Sequence, residues 1–130
     1  MILLDTHVVA WLALEPSKLS ANARTAIDDE RKNAGGLAIC DITLFELASL
    51  ASKGRIQLGI SVQSFLEEIE ARFVVLPMSG RTCARAFELP ANYPRDPADR
   101  LIGATALTEG LPLVTADRSI RHSKIVRTIW

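Results

Sequence analysis

The sequence lacks the features that mark several common protein classes. It has no run of eighteen apolar residues, so no segment is predicted to span a membrane. Its first residues lack the basic start and long apolar run of a signal peptide, and the protein is therefore expected in the cytoplasm. The two cysteines, Cys40 and Cys83, are too few for a disulfide scaffold or a cysteine-rich zinc site. Both are predicted to be small core residues.

Charge and histidine also give little direct indication of function. The 15 Lys and Arg residues balance the 15 Asp and Glu residues, so the net charge does not point to a polyanionic partner. Only the segment 118–130 is locally basic. His7 is predicted to pack or to lie at the surface, with a position in the cleft as the alternative, and His122 is predicted to be solvated. Neither a G-x-S-x-G nucleophile motif nor a Walker phosphate loop is present.

Short apolar runs alternate with segments of helical periodicity along the whole chain. The predicted strands are 2–4, 37–40, 73–76 and 113–115, with a fifth at the sheet edge within 124–129. Predicted helices cover about 8–14, 20–32, 81–89 and 97–109, and two more begin at Thr43 and after Ser61. No repeat or linker divides the chain. Residues 1–130 are therefore predicted to form one α/β domain, with helices on both faces of a mostly parallel sheet of four to five strands.

Acidic residues fall at one predicted edge of this sheet. Asp5 directly follows the first strand, and Asp117 lies two residues beyond the fourth. Glu46 is predicted in the first turn of the helix after the second strand, and Asp96 and Asp99 in the first turn of the helix before the fourth. In parallel sheets the ligand site lies beyond the carboxyl ends of the strands. We therefore expect all five acids on the same side of the molecule.

Each acid also has an ordinary structural interpretation, and for Asp5 and Asp117 it is that of residues that end strands. Thr43 and Glu46 match the capping box, in which the Glu side chain returns to the first amide of its helix. Asp96 before Pro97 is a typical helix start, and Asp99 suits the positive end of the helix dipole. These roles leave the convergence unexplained, because two carboxylates about 5 Å apart repel by roughly 3 kcal/mol at an effective dielectric constant of 20. A divalent cation would relieve the repulsion, and all-oxygen ligation favours Mg²⁺ or Mn²⁺, ions suited to phosphoryl chemistry.

Four segments carry a resemblance to a known family. They are Leu3-Leu4-Asp5-Thr6-His7 with Trp11, the helix 43–48 with the later Lys53-Gly54-Arg55-Ile56, the segment 95–106, and Leu113-Val114-Thr115-Ala116-Asp117. Their content and order resemble the PIN-domain ribonucleases of the VapC toxin type, over essentially the whole chain. The segment 95–106, which begins Arg95-Asp96-Pro97-Ala98-Asp99, is the most specific match.

The resemblance implies a three-layer α/β/α fold and a metal-dependent endoribonuclease that uses Mg²⁺ or Mn²⁺. Its catalytic and metal-binding acids correspond here to Asp5, Glu46, Asp99 and Asp117. It further implies an RNA substrate, a cognate antitoxin protein that holds the enzyme inactive, and a homodimer.

Further residues are expected to support this site. Thr6 and Thr115 are expected to orient carboxylates or water, and Asp96 is expected to assist the acids. Three arginines are candidates for holding RNA phosphates, since the guanidinium group matches phosphate geometry: Arg100, Arg118 and Arg121. Their ordinary alternative is a solvated basic face.

Three other interpretations stay open at this point. A haloacid dehalogenase phosphatase would need a second Asp two residues after Asp5, where His7 stands. A response-regulator receiver would need a second acid beside Asp5. A non-catalytic PIN-like module that only binds RNA or protein differs from the enzyme in one measurable property, Mn²⁺-dependent RNA cleavage.

Overall fold

Five short strands form the centre of the molecule. The computed structural model, which describes residues 1–130, contains β1 (Ile2–Leu4), β2 (Leu37–Cys40), β3 (Val74–Leu76), β4 (Leu113–Val114) and β5 (Thr128–Ile129). They form one sheet in the order β3-β2-β1-β4-β5, and all four pairings are parallel. The predicted parallel sheet is confirmed, with its fifth strand at the edge and limited to two residues.

Seven helices connect and cover the strands. They are α1 (Thr6–Leu14), α2 (Ala21–Lys32), α3 (Asp41–Ser52), α4 (Val62–Arg72), α5 (Gly80–Glu88), α6 (Pro97–Glu109) and α7 (Arg118–Ser123), with one 3₁₀ turn at Pro16–Lys18. Side-chain caps define several helix starts: Ser20 accepts a hydrogen bond from the Ala23 amide, and Ser61 from the Ser64 amide. Gly110 ends α6 in the left-handed conformation at φ 65°.

The two faces of the sheet bury separate apolar cores. On one face, Leu4 and Ile39 pack with α1, α2, α3 and α4; on the other, Leu3 and Ala38 pack with α6 and α7. Successive strand residues point to opposite faces, which is why neighbours in sequence enter different cores. The result is the predicted three-layer α/β/α arrangement. None of the helices has the length and apolar character needed to cross a lipid bilayer.

Three predicted features differ from the structure. Helix α1 begins at Thr6 rather than near Val8, because Asp5 caps it directly after β1. Helix α7 was not predicted, since its six residues follow Asp117 with only one large apolar side chain, Ile120, in the buried set. Cys40 is buried as predicted, whereas Cys83 is only half-buried, so its predicted place in the core is wrong.

The helix after β2 also begins earlier than predicted. Helix α3 starts at Asp41 with Cys40 as its N-cap, and no side chain caps it. The capping box of Thr43 and Glu46 is therefore wrong, and Glu46 lies in the second turn rather than the first. The strand runs into the helix without a loop, so both Thr43 and Glu46 are free for other contacts.

The strand order fixes where the acids meet. The chain leaves β1 for β2 on one side, and returns to place β4 on the other side of β1. This reversal opens a crevice beyond the carboxyl ends of β1 and β4, the position where open α/β sheets bind ligands. Asp5 and Asp117 follow these two strands.

Candidate active site

An open cleft of about 600 Å³ lies beyond the carboxyl ends of the strands. Helices α1, α3 and α6 supply its walls. It is lined by four of the five predicted acids together with neighbouring residues: Asp5, Thr6, His7, Ile42, Phe45, Glu46, Ser49, Leu50, Lys53, Arg55, Asp96, Pro97, Ala98 and Asp99. Parts of the chain more than ninety residues apart therefore meet in one concave site.

Asp5 is held at the floor of the cleft by its hydrogen bonds. Its side chain is 4% exposed. Oδ1 accepts from the Thr6 amide at 2.8 Å, and Oδ2 accepts from the hydroxyl of Thr115 at 2.7 Å. The same Thr115 hydroxyl accepts from the Asp117 amide at 3.1 Å. Thr115 therefore connects the acid after β1 to the segment after β4.

Two threonine hydroxyl groups hold Glu46 in place. The Thr6 hydroxyl donates its proton to Oε1 of Glu46 and lies 3.1 Å from the hydroxyl of Thr43. Because Thr6 has a single hydroxyl proton, Thr43 must be the donor in that second contact. Thr43 is fully buried, and its hydroxyl thus supports α1 from α3 instead of capping its own helix.

Asp99 has the most strongly perturbed carboxyl group in the protein. Burial is the largest cause, and the charges of Asp5, Asp96, Asp117 and Glu46 add to it, so its pKa is raised from 3.8 to about 7. All four charges that act on it are carboxylates. Such a shift is typical of clustered carboxylates whose negative charges are not offset by a cation in contact with them.

The pKa of Glu46 is raised as well. Burial raises the pKa of its carboxyl group, the hydrogen bond from Thr6 lowers it, and the charges of Asp5 and Asp96 raise it further. No Lys or Arg forms an ion pair with these acids: the ion pairs in the protein join Met1 to Glu30 and Lys18 to Glu15. The acids in the cleft are therefore not paired with any cationic side chain.

Asp96 and Asp117 both act as helix caps. Asp96 accepts from the Asp99 amide at 3.1 Å, as predicted, and Pro97 occupies the first position of α6. Asp117 accepts from the Ile120 amide at 3.0 Å and caps α7. Asp117 lies just outside the residues that line the cleft, yet its charge contributes to the raised pKa of Asp99. One of its carboxylate oxygens has no hydrogen-bond partner within the protein.

His7 lies inside the cleft, although the sequence favours a packing or surface role for it. Its Nε2 accepts from the Ala116 amide at 2.9 Å, and its Nδ1 lies 3.7 Å from Oδ2 of Asp5. An accepting Nε2 requires the neutral ring with its proton on Nδ1, facing Asp5. The ring also packs edge-on against Trp11, with ring centroids 4.9 Å apart. His7 therefore ties α1 to the segment that carries Thr115 and Asp117.

The three arginines expected to hold RNA phosphates have different positions. Arg100 donates to the backbone carbonyls of Ala86, Leu89 and Tyr93, which closes the end of α5. Its guanidinium group is thus engaged away from the cleft, and we do not retain it as an RNA contact. Arg118 is exposed and Arg121 is half-buried; both lie on α7 beside the site and outside the cleft lining.

Two cations do line the cleft, and the sequence assigned no role to them although their segment carries part of the family resemblance. Lys53 and Arg55 lie at its rim, beyond the end of α3, and both are exposed. The exposed ring of Phe45 lines the same cleft. The signal that would have found Lys53 is helical spacing from Glu46, since residues seven apart share one face of a helix.

The donor set has the chemistry of a magnesium or manganese site. The carboxylates supply oxygen ligands only, and each ligand oxygen already bonded to the protein keeps a second lone pair. As the side chains stand, no three His, Cys, Asp or Glu residues lie close enough together to hold a metal ion between them. An open arrangement fits Mg²⁺, which usually keeps several waters and takes only one or two carboxylates from the protein.

Comparison with known proteins places the chain in a family. The family model described as PIN domain matches residues 2–125. The chain is 43% identical over 131 residues to Ribonuclease VapC22 of Mycobacterium tuberculosis, and the match covers 99% of this chain and 98% of that protein.

Solved structures show the same fold at lower identity. VapBC2 from Rickettsia felis, bound to a DNA fragment from its promoter, matches with a TM-score of 0.72 at 21% identity, over 98% of this chain and 97% of that chain. DNA-bound VapBC from Salmonella typhimurium matches with a TM-score of 0.71 at 20% identity, over the same shares. Together with the family model and the VapC relative, these findings show that the chain belongs to the PIN-domain family, in its VapC group.

Proposed function

We propose that the protein is a Mg²⁺- or Mn²⁺-dependent endoribonuclease and the toxin of a VapBC-type toxin–antitoxin module. The observation that carries this proposal is the convergence of Asp5, Glu46, Asp96 and Asp99 in one cleft, and the raised pKa of Asp99 agrees with it. A family relative that is named a ribonuclease supports RNA as the substrate. Clustered acids without cationic partners are costly for the fold, and a divalent cation gives them a function.

The metal ligands in this proposal are Asp5, Glu46, Asp99 and Asp117. A bound divalent ion supplies an acidified water and stabilises negative charge on the phosphodiester and the leaving oxygen. The protein's own groups hold these carboxylates in place: Thr115 fixes Asp5, and Thr6 fixes Glu46. Asp96 assists by starting α6 so that Asp99 faces the cleft. Such supporting hydrogen bonds to ligands typically matter 10- to 100-fold in metal affinity.

The proposed partners follow from the charge of the cleft and from the relatives. An antitoxin with a basic residue in its tail would fit a cleft that holds uncompensated carboxylates. The two structural relatives above are described as VapBC assemblies, which supports an antitoxin partner for this chain. A homodimer is the proposed oligomeric state, because most soluble oligomers are two-fold symmetric homo-oligomers and the family resemblance implies one.

The test is cleavage of a mixed single-stranded RNA substrate by wild type and Asp99→Asn, with Mn²⁺ and with chelator. Wild type should cleave only with Mn²⁺, and Asp99→Asn should cleave at least about 100-fold more slowly while keeping its fold by circular dichroism. Addition of the cognate antitoxin should stop cleavage by wild type. Cleavage by Asp99→Asn at the wild-type rate, or cleavage that persists in chelator, would contradict the proposal.

The second candidate function is a PIN-like module that binds RNA or protein without cleaving it. The observation in its favour is that the acids do not form a closed ligand set as they stand. The same experiment separates the two functions, since a module would bind RNA and leave it intact at every Mn²⁺ concentration.

A further inference from the structure

One face of α3 forms a continuous wall of the cleft. Five of its residues and its C-cap, Lys53, line the cleft at spacings of three and one in alternation, which is a single helical stripe: Ile42, Phe45, Glu46, Ser49, Leu50 and Lys53. The stripe runs from the acids at the carboxyl edge of the sheet to the basic rim. At 1.5 Å per residue, Lys53 lies about 10 Å along the helix axis from Glu46.

Phe45 is an unexpected residue at this position. Its side chain is 73% exposed although it is large and apolar, and it adjoins Glu46 on the wall of the cleft. The neighbouring apolar residue on α3, Leu47, is completely buried in the core. Phe45 therefore contributes nothing to the core, and its ring faces the space in which a substrate would lie.

The basic rim has no partner within the protein. Lys53 and Arg55 form no ion pair, and both are exposed. Lys53 lies about two helical turns from Glu46, and Arg55 follows it at the rim of the same cleft. This places both cations to meet a flanking phosphate of the same strand, where a guanidinium or ammonium group is the expected partner.

We propose that this face of α3 is a track for single-stranded RNA, with Phe45 stacking on an unpaired base and Lys53 and Arg55 holding a flanking phosphate. The proposal deepens the ribonuclease function and rests on it. Aromatic stacking on a base needs an exposed π-face, which a duplex does not offer, so the track selects unpaired RNA.

Binding is measured in the Asp117→Asn background with Mg²⁺, so that cleavage does not interfere. The probe is a single-stranded RNA oligonucleotide that carries 2-aminopurine, whose fluorescence is quenched by stacking. Phe45→Leu should weaken binding by about 5- to 100-fold, the range for loss of one base–aromatic stack, and should abolish the added quenching. Phe45→Trp should retain both. A duplex of the same sequence should bind weakly, and neither Phe45→Leu nor Phe45→Trp should change its affinity.

The matched control is Phe87→Leu, which removes a second exposed phenylalanine. Phe87 is 89% exposed on α5 and lies outside the cleft, so this variant should bind RNA like its parent. The double variant Lys53→Gln, Arg55→Gln should weaken binding equally for all sequences. It should also reduce the slope of log affinity against log salt by about 0.7 for each phosphate that the protein no longer neutralises.

Several outcomes would overturn the track. Melting temperatures identify any variant that is unfolded, so unchanged RNA affinity and quenching in a folded Phe45→Leu protein would refute stacking directly. Equal losses in Phe45→Leu and Phe87→Leu would show a general effect of exposed aromatics. If Phe45→Leu weakened binding of a basic antitoxin-tail peptide but left RNA binding unchanged, Phe45 would be a protein contact and not an RNA contact. If wild type cleaves no RNA, the proposed function fails, while these binding measurements still decide the track.

Discussion

Replacement of Asp99 by Asn should make the metal-free protein more stable at alkaline pH. The folded state raises the pKa of this carboxyl group from 3.8 to about 7, a shift of about three units. At 1.36 kcal/mol per unit, the upper limit of the cost to the folded state is about 4 kcal/mol. The group is only half-buried, and solvent screening reduces the expected cost to about 1–2 kcal/mol.

The substitution also removes one favourable interaction. Asp99 is in the first turn of α6, where a negative charge gains about 0.3–1 kcal/mol from the helix dipole. The expected net gain for Asp99→Asn is therefore about 1 kcal/mol at pH 8, or roughly 3 °C in melting temperature.

The pH dependence gives the sign of the effect. A carboxyl group whose pKa is raised in the folded state binds its proton more tightly there than in the unfolded chain. Its contribution to stability is fully present below about pH 4, falls as the pH rises, and is lost once the pH passes about 7. The advantage of Asp99→Asn over wild type should therefore grow from pH 4 to pH 8.

The assay is thermal or urea unfolding of both proteins in chelator across this pH range. Asp28→Asn, which changes an exposed acid on α2, is the matched control and should alter stability by less than about 0.5 kcal/mol. An Asp99→Asn protein that is less stable than wild type at pH 8, or whose advantage is the same at pH 4 and pH 8, would refute the reasoning.

Three further predictions concern the groups around the acids. Gly103→Ala should lower the melting temperature, because the new Cβ would lie 2.2 Å from the hydroxyl of the buried Tyr93. Such overpacking costs about 1–3 kcal/mol, whereas the gain in helix propensity is less than about 1 kcal/mol. An unchanged melting temperature would disprove the clash. Thr115→Val should lower the free energy of unfolding by about 1–3 kcal/mol and weaken Mn²⁺ binding, measured by calorimetry, by about 10- to 100-fold, since Asp5 loses a hydrogen-bond donor. Wild-type Mn²⁺ affinity in Thr115→Val would show that this hydroxyl does not matter. Nitrogen NMR of the His7 ring at neutral pH should show an unprotonated Nε2 and a protonated Nδ1; the opposite tautomer would remove its proposed link to Asp5.

The parts of the fold that the sequence predicted correctly depend on local signals. Ser20 and Ser61 precede their helices at capping positions, and Asp96-Pro97 and Gly110 bracket α6. Each of these residues acts on its own helix end, so its effect is readable without the rest of the structure. The apolar runs of the strands are equally local, and the order of strands and helices then predicts the parallel sheet.

The errors arise where distant contacts override a local pattern. Thr43 fits a capping box by sequence, but its hydroxyl contacts Thr6, 37 residues away, and the helix begins two residues earlier. Arg100 fits a phosphate contact by type, but its donors meet three carbonyls around the end of α5. His7 carries no local signal for its contact with the Ala116 amide, because 109 residues separate them.

The convergence of the acids was predictable because it follows from topology alone. Carboxyl ends of neighbouring parallel strands meet at one edge, so Asp5 and the segment after β4 had to approach each other once the sheet was known. The electrostatic state of Asp99 was not predictable, since it depends on burial and on four charges from separate elements.

A manganese anomalous difference map shows directly whether these acids bind a metal ion. Crystals of wild type grown with Mn²⁺ should show a peak in the cleft, about 2 Å from carboxylate oxygens of Asp5 and Asp99, with Glu46 and Asp117 bound directly or through water. Crystals of Asp99→Asn under the same conditions should show a weaker peak or none. A wild-type map with no peak at these acids, or with manganese bound only elsewhere, would show that they do not form the metal site.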